Sequence, residues 1–365
     1  MKLILILPSQ DSIFSNLYEV YIDLNNALTS LGIENKIIEV KLGRGTEFPF
    51  GMVDNITMSE LSKFIESTSD RNTVFVTVDD HSIVNWLYQN EKIENLVLWA
   101  HYFYGSKFIF QLYRNYRAIY PPINTNRLLK FFAGFIPNSM AIQLSHFYRK
   151  TLLTYPVFSQ SIWTGLLLER VLSVPVLGTV HIPVDQELYN FEEPEKREGI
   201  LVFLGNAEET DLKSLNSVLK TLEPDLLSRL DYFGNEKAGK KFEDTYEIKM
   251  NFIGKVERRD LLRCYSGHLI TISPIFNGTF EMVPIQSLFC GTPVISFAQP
   301  FLEVTGESNM IANIHNLGEI KHKMTLWKNL NPEARRLMKT IILEKMDSKK
   351  VAQDLLKHLE NLGFR

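Results

Sequence analysis

Only two cysteines, Cys264 and Cys290, occur in the 365 residues, and no Cys/His metal-ligand spacing surrounds them. That excludes a disulfide-stapled scaffold or a zinc module and reads as buried thiols in a reducing, cytoplasmic compartment. No uninterrupted apolar run reaches the roughly 20 residues that a membrane helix needs. Residues 1–8 begin like a signal peptide, but Pro8-Ser9-Gln10-Asp11 ends the apolar run too early, and the segment reads as a first strand. Net charge is small, at −3, while 45% of the residues are hydrophobic and 12% aromatic. A disordered chain or a coiled coil is thereby excluded. The length suits two α/β domains rather than one core.

What is there alternates between short β-branched runs and helical periodicity. Residues 3–7 read as a strand, 8–15 as a polar loop, 17–31 as a helix ended by Gly32, and 36–40 as the next strand. The loop 8–15 contains no glycine, which argues against a tight backbone approach to a phosphate there. Residues 73–78 and 95–100 read as further buried strands, ending in Asp79-Asp80-His81 and in His101. Polar residues at the carboxyl ends of parallel strands are where open α/β sheets bind ligands. Asp80, His81 and His101 are therefore site candidates. Helix capping is the alternative for the aspartates, and packing is the alternative for His101.

Acids are nearly missing from residues 101–180, where eight lysines and arginines, Lys107 and Arg114 among them, face the single acid Glu169, a net of +7. The remainder of the chain then carries −10. Tyrosines and phenylalanines interleave with these cations. Many of them must be core, but the lack of acids points to an anionic acceptor: nucleic acid, a phospholipid surface or a phosphorylated glycan. A cationic face that binds nothing is the alternative. Residues 191–198 are charged, contain Pro194 and read as an interdomain linker.

The stretch 269–296 carries the most information. It reads as strand, polar loop, short helix over 283–290, Gly291 stop and strand 293–297. Cys290-Gly291-Thr292-Pro293-Val294, with Phe280 and Pro284 at the matching distances, resembles the donor-sugar signature of retaining GT-B glycosyltransferases, in particular glycosyltransferase family 4. The resemblance is specific over residues 254–296 and order-preserving elsewhere. Where the family has glutamates, this chain has Gly278 and Gln286. Glu281 could supply a substitute carboxylate.

The resemblance implies an α/β, GT-B protein: two facing Rossmann-like doubly wound parallel sheets with an interdomain cleft. Its expected parts are an acceptor-side domain over residues 1–191, a linker over 192–198, a nucleotide-sugar domain over 199–335 and helices over 336–365, the last crossing back to the first domain. The implied activity is transfer of a sugar from a nucleotide-sugar, a UDP-sugar by expectation, to a hydroxyl acceptor with retention of configuration. The nucleotide-sugar is a co-substrate; no cofactor and no metal are expected, and no Asp-x-Asp pair is present. In this scheme His101 contacts the sugar and Glu281 orients it, with Gly278, Thr279 and Phe280 around the donor. Gln286 holds the ribose, Lys213 or Lys255 faces the diphosphate, and Val256 lies near the base. Asn206 stands where the family has a phosphate-binding arginine. A surface role is the alternative for Lys213.

On the acceptor side, Asp80, His81, Lys107 and Arg114 would face DNA, a lipid-linked glycan or a phosphorylated glycan, with peripheral membrane contact compatible with the charge. Alternatives are a phage-type transferase acting on hydroxymethylated DNA bases, a non-catalytic GT-B binding subunit, or a sugar-phosphate epimerase of the same fold.

Overall fold

The computed structural model describes residues 1–9, 15–41, 53–90, 93–101, 148–184, 194, 196–205, 207–254, 256, 258–275, 281–306 and 309–364. The chain divides into two compact units: Met1–Pro183 with Ser348–Arg365, and Val184–Asp347. The first passage between them thus lies at 183–184, ahead of the charged stretch 191–198, and the second at 347–348.

The N-terminal unit is built on a seven-stranded sheet in the order β3-β2-β1-β4-β5-β6-β7. Its strands are β1 (Lys2–Ser9), β2 (Glu34–Lys41), β3 (Val53–Thr57), β4 (Thr73–Val78), β5 (Leu96–Ala100), β6 (Val157–Ser159) and β7 (Gly178–Thr179). Every pairing is parallel. Both faces are covered, so β1 can be one continuous apolar run, and Leu3 to Leu7 are all buried. β3 and the helix Met58–Thr68 that follows it escaped the sequence pattern, because Val-Asp-Asn-Ile-Thr has too few apolar residues to register as a strand. That helix starts with a capping box, in which the Thr57 backbone N–H donates to Glu60 Oε2 at 2.7 Å. The last helix, Ser348–Asn361, packs against the first, Ser15–Ser30. Gly178 leaves room for it, since a Cβ there would lie 2.3 Å from His358 Cε1.

The C-terminal unit repeats the plan with six strands in the order β10-β9-β8-β11-β12-β13. They are β8 (Ile200–Leu204), β9 (Leu230–Gly234), β10 (Asn251–Phe252), β11 (Ile270–Ile272), β12 (Val294–Ser296) and β13 (Ile311–Asn313). All are parallel. Val202, Leu204, Ile272 and Ile295 meet Leu215, Ile320 and Trp327 from the covering helices in one core. The chain enters and leaves this unit side by side: Val184 pairs with Asp347, and its N–H donates to Met346 O at 2.7 Å.

Cys290 is buried, but Cys264, read from sequence as a buried thiol, is only partly covered. It sits on the helix Arg258–Gly267 next to exposed Arg263 and one turn beyond exposed Asp260. Neither cysteine forms a disulfide.

Candidate active site

In each unit the first and fourth strands in chain order lie side by side, β1 beside β4 and β8 beside β11. Crossovers leave in opposite directions from there, so the carboxyl ends of these strands open the crevice in which such sheets hold ligands.

In the N-terminal unit, three neighbouring strand ends are joined by side chains. Asp79, fully buried after β4, accepts the backbone N–H of His101 at 2.7 Å and the Tyr148 hydroxyl at 2.6 Å. Gln160, buried after β6, donates from Nε2 to the His101 carbonyl at 2.7 Å. His101 is thus held from both sides at the end of β5. Its ring meets the edge of Trp99 at 4.4 Å between centroids. Nε2 is buried and has no hydrogen-bond partner among the described residues. Burial pushes the imidazole pKa down to about 3, against a side-chain bond with Gln160 that raises it. His101 is therefore neutral at physiological pH and offers one open ring nitrogen. His181, after β7, extends the polar row, with Nδ1 3.3 Å from Gln160 O.

The aspartate pair divides its labour. Asp79 ties strands together, whereas Asp80 precedes the helix His81–Gln89, and its carbonyl accepts Val84 N–H at 2.8 Å. The His81 side chain lies outside the described residues, as do Lys107 and Arg114. Gln160 and Tyr148 were not singled out from sequence. A glutamine and a tyrosine gain meaning here only through contact with groups 59 and 69 positions away.

In the C-terminal unit the helix Met282–Phe289 begins beyond β11, and every one of its residues is buried. Glu281 is its N-cap residue and accepts the Ser273 hydroxyl at 3.0 Å. That bond joins the strand end to the helix start and fixes the carboxylate at the amino end of the helix, where negative charge is stabilised. Gln286 is buried, and its Oε1 lies 3.4 Å from the Tyr265 hydroxyl. Tyr265 meets Phe233 edge-on at 6.0 Å, and Phe233 stacks on Phe203 at 5.0 Å.

The other end of this helix is fastened to its surroundings. Ser287 Oγ is 2.8 Å from Thr271 Oγ1 and 3.0 Å from the Thr292 carbonyl. Arg197 forks onto Thr292 Oγ1 at 2.5 Å and Cys290 O at 2.9 Å, and buried Arg335 donates to Gly291 O at 2.7 Å. Two guanidinium groups therefore satisfy carbonyls at the negative end of the helix dipole. Gly291 has φ +68°, and a Cβ there would come within 2.8 Å of Arg335 Cβ, so the turn requires glycine on both counts. Arg197 belongs to the stretch read as a linker, which shows that its charge serves this turn.

Lys213 is exposed and paired with Glu209 at 2.6 Å on the helix Glu209–Leu219. Glu208, Glu209 and Asp211 crowd the start of that helix, and Asp211 Oδ2 accepts the Glu208 N–H at 2.7 Å. The acids already answer the positive end of the helix dipole there. Val256 is half-buried just beyond β10. Asn206, Lys255, Gly278, Thr279 and Phe280 lie outside the described residues. Among the described residues, no group of three or more His, Cys, Asp or Glu side chains could hold a metal ion, and no helix is long and apolar enough to cross a membrane.

Residues 198–326 match the family model described as Glycosyl transferases group 1. No curated protein matches the sequence. Among solved structures, the sucrose-phosphate synthase from Thermosynechococcus elongatus is similar over 99% of this chain and 99% of its own, at 14% identity and a TM-score of 0.67. The S. aureus TarM G117R mutant, in complex with fondaparinux, α-GlcNAc-glycerol and UDP, is similar over 98% and 99%, at 9% identity and a TM-score of 0.65. An α-glucosyltransferase in complex with UDP and a 13-mer DNA containing an HMU base covers 98% and 99%, at 10% identity and a TM-score of 0.63. With two parallel sheets of the same strand order, the chain has the GT-B fold, and its second unit carries the match to the Glycosyl transferases group 1 domain at residues 198–326.

Proposed function

We propose that this chain transfers a sugar from a UDP-sugar to a hydroxyl of an anionic acceptor, with retention of anomeric configuration and without a metal ion. The bond between the anomeric carbon and the diphosphate breaks, the acceptor oxygen bonds to that carbon, and the hydroxyl proton leaves with UDP. The observation that carries the reading is His101: buried, neutral, fixed by Asp79 and Gln160, with Nε2 open. Such a nitrogen can exchange one hydrogen bond with a sugar hydroxyl without adding charge to the site.

On the donor side, Glu281 orients the sugar from its bond with Ser273. The diphosphate takes the Met282 and Val283 N–H groups at the start of the helix Met282–Phe289, whose next residue, Pro284, has none, with Lys255 or Lys213 nearby. Glu208, Glu209 and Asp211 open the helix Glu209–Leu219 and oppose a diphosphate at that second helix start more strongly than Glu281 alone does at the first, which favours the first. Gln286 meets the ribose through an uncharged amide. Uridine as the base is supported by TarM and the α-glucosyltransferase, both in complexes with UDP.

A melting-temperature series with UDP, GDP and ADP tests the donor, since a ligand that binds only the folded chain raises its stability. UDP alone should shift the transition. Turnover of UDP-sugars should be lost in His101→Ala while the UDP shift persists, and NMR of the product should show the donor's anomeric configuration. No shift with any nucleotide, together with no UDP-sugar hydrolysis, sinks the proposal.

A further inference from the structure

Among the described residues, all four exposed large hydrophobic side chains of the N-terminal unit fall between positions 153 and 177: Leu153, Ile162, Leu166 and Leu177. Two of them share one ridge of the helix Ile162–Leu172. Ile162 is 51% and Leu166 43% exposed, and the same i, i+4 row continues to exposed Arg170. Half-buried Trp163 and Leu167 form the row beside it. The opposite side of the helix, with Thr164 and Leu168, is buried against the sheet. A helix that is apolar on its buried side and again on its solvent side has a second partner to meet.

Its place in the fold is informative. The helix starts at Ser161, whose side chain accepts Thr164 N–H as the N-cap, one residue beyond Gln160. The apolar ridge therefore begins at the rim of the strand ends that hold His101. Charge supplies the rest: exposed Arg149, Lys150 and Arg170 belong to the stretch 101–180, with its eight cations and one acid.

We infer that the face of the helix Ile162–Leu172 carrying Ile162, Trp163, Leu166 and Leu167 docks on an anionic lipid bilayer. Aliphatic and indole side chains enter the headgroup boundary while lysines and arginines reach the anionic headgroups, the combination that holds a protein on a membrane surface. Nucleic acid would reward the cations but gains nothing from exposed Ile162 and Leu166. The docking contact stands apart from the sugar-transfer proposal. Its corollary, that the acceptor hydroxyl is borne by a lipid, rests on that proposal.

The test is flotation of the full chain with phosphatidylglycerol–phosphatidylcholine vesicles and with phosphatidylcholine alone. The parent chain should float with the anionic vesicles and much less with the neutral ones. The double variant Ile162→Gln/Leu166→Gln should lose roughly tenfold in vesicle affinity with an unchanged far-ultraviolet spectrum. A second readout is Trp163, whose emission should shift to the blue on addition of anionic vesicles, a shift that Trp163→Phe removes. No flotation of the parent chain overturns the inference, as does a double variant that floats like the parent. A concentration-dependent dimer abolished by the double variant, without vesicle binding, would assign the face to self-association instead. UDP binding is measured separately on the same samples. Loss of vesicle binding with UDP binding intact then counts against docking alone, and the converse against the donor proposal alone.

Discussion

The two units share a sheet topology and differ in what they do with it. Strand order in the second repeats the first six strands of the first, with all pairings parallel. In the N-terminal unit the strand ends are bound to one another through Asp79, Gln160 and the His101 backbone, which leaves one imidazole nitrogen open. In the C-terminal unit the strand end is bound instead to a helix, Ser273 to Glu281, and that helix is fastened at its far end by Arg197 and Arg335. One fold plan thus offers a neutral, desolvated nitrogen in one unit and an oriented carboxylate at a helix start in the other. Topology decides where polar groups gather; a few side chains decide what they can do.

The contrast can be broken most sharply at Asp79. Its replacement by alanine strands two buried donors, His101 N–H and the Tyr148 hydroxyl, and should cost about 3 kcal/mol in urea unfolding. Asp79→Asn keeps Oδ1 for the His101 N–H and turns an amide N–H toward the Tyr148 hydroxyl, which can accept it, and should cost clearly less. A negligible loss in Asp79→Ala would mean that the carboxylate does not organise this strand end.

Acid should weaken the N-terminal unit through His101. Its folded pKa, about 3, lies below the unfolded value of about 6.5. The contribution is therefore complete above about pH 6.5 and is lost as the pH falls toward about 3. Between pH 7 and pH 5 that amounts to about 2 kcal/mol. His101→Gln should flatten this part of the stability–pH curve, and an unchanged slope would show that the ring is not desolvated.

On the C-terminal side, Arg335→Ala removes the buried donor to Gly291 O and should cost about 1.5 kcal/mol by urea titration. Ser287→Ala, which loses a neutral hydroxyl link, should cost about 1 kcal/mol in the same assay. Lys213→Ala should leave the melting temperature unchanged, because its partner Glu209 is a solvent-exposed neighbour on the same helix. A weakened UDP-induced shift in that last variant would choose Lys213 over Lys255 as the lysine at the diphosphate.

Much of the fold is legible along the chain. Residues 73–78 read as a strand and form β4 with those bounds, and the helices expected over 336–365 form as Pro332–Met346 and Ser348–Asn361. Strands covered on both faces carry their signal in composition alone. β3 and the three-residue β13 do not, since one is polar and the other too short, and both are recruited by pairing with a neighbour. Gly291 was legible as a turn because few other residues adopt its backbone angle. Arg197 was legible only as charge, because the carbonyls it binds lie 93 or more positions away.

The order of most strands and helices, the Cys290–Val294 turn and the cationic bias of residues 101–180 were determined by the sequence alone, because each depends on neighbours within a few positions or on composition. Tertiary structure alone decided that Asp79 ties strand ends together, that His101 is neutral with an open nitrogen, and that Lys213 pairs with Glu209. It also decided that Ile162 and Leu166 face outward. Burial and hydrogen-bond partnership, which set charge state and exposure, arise from residues brought together across the sheet and are not written in local pattern.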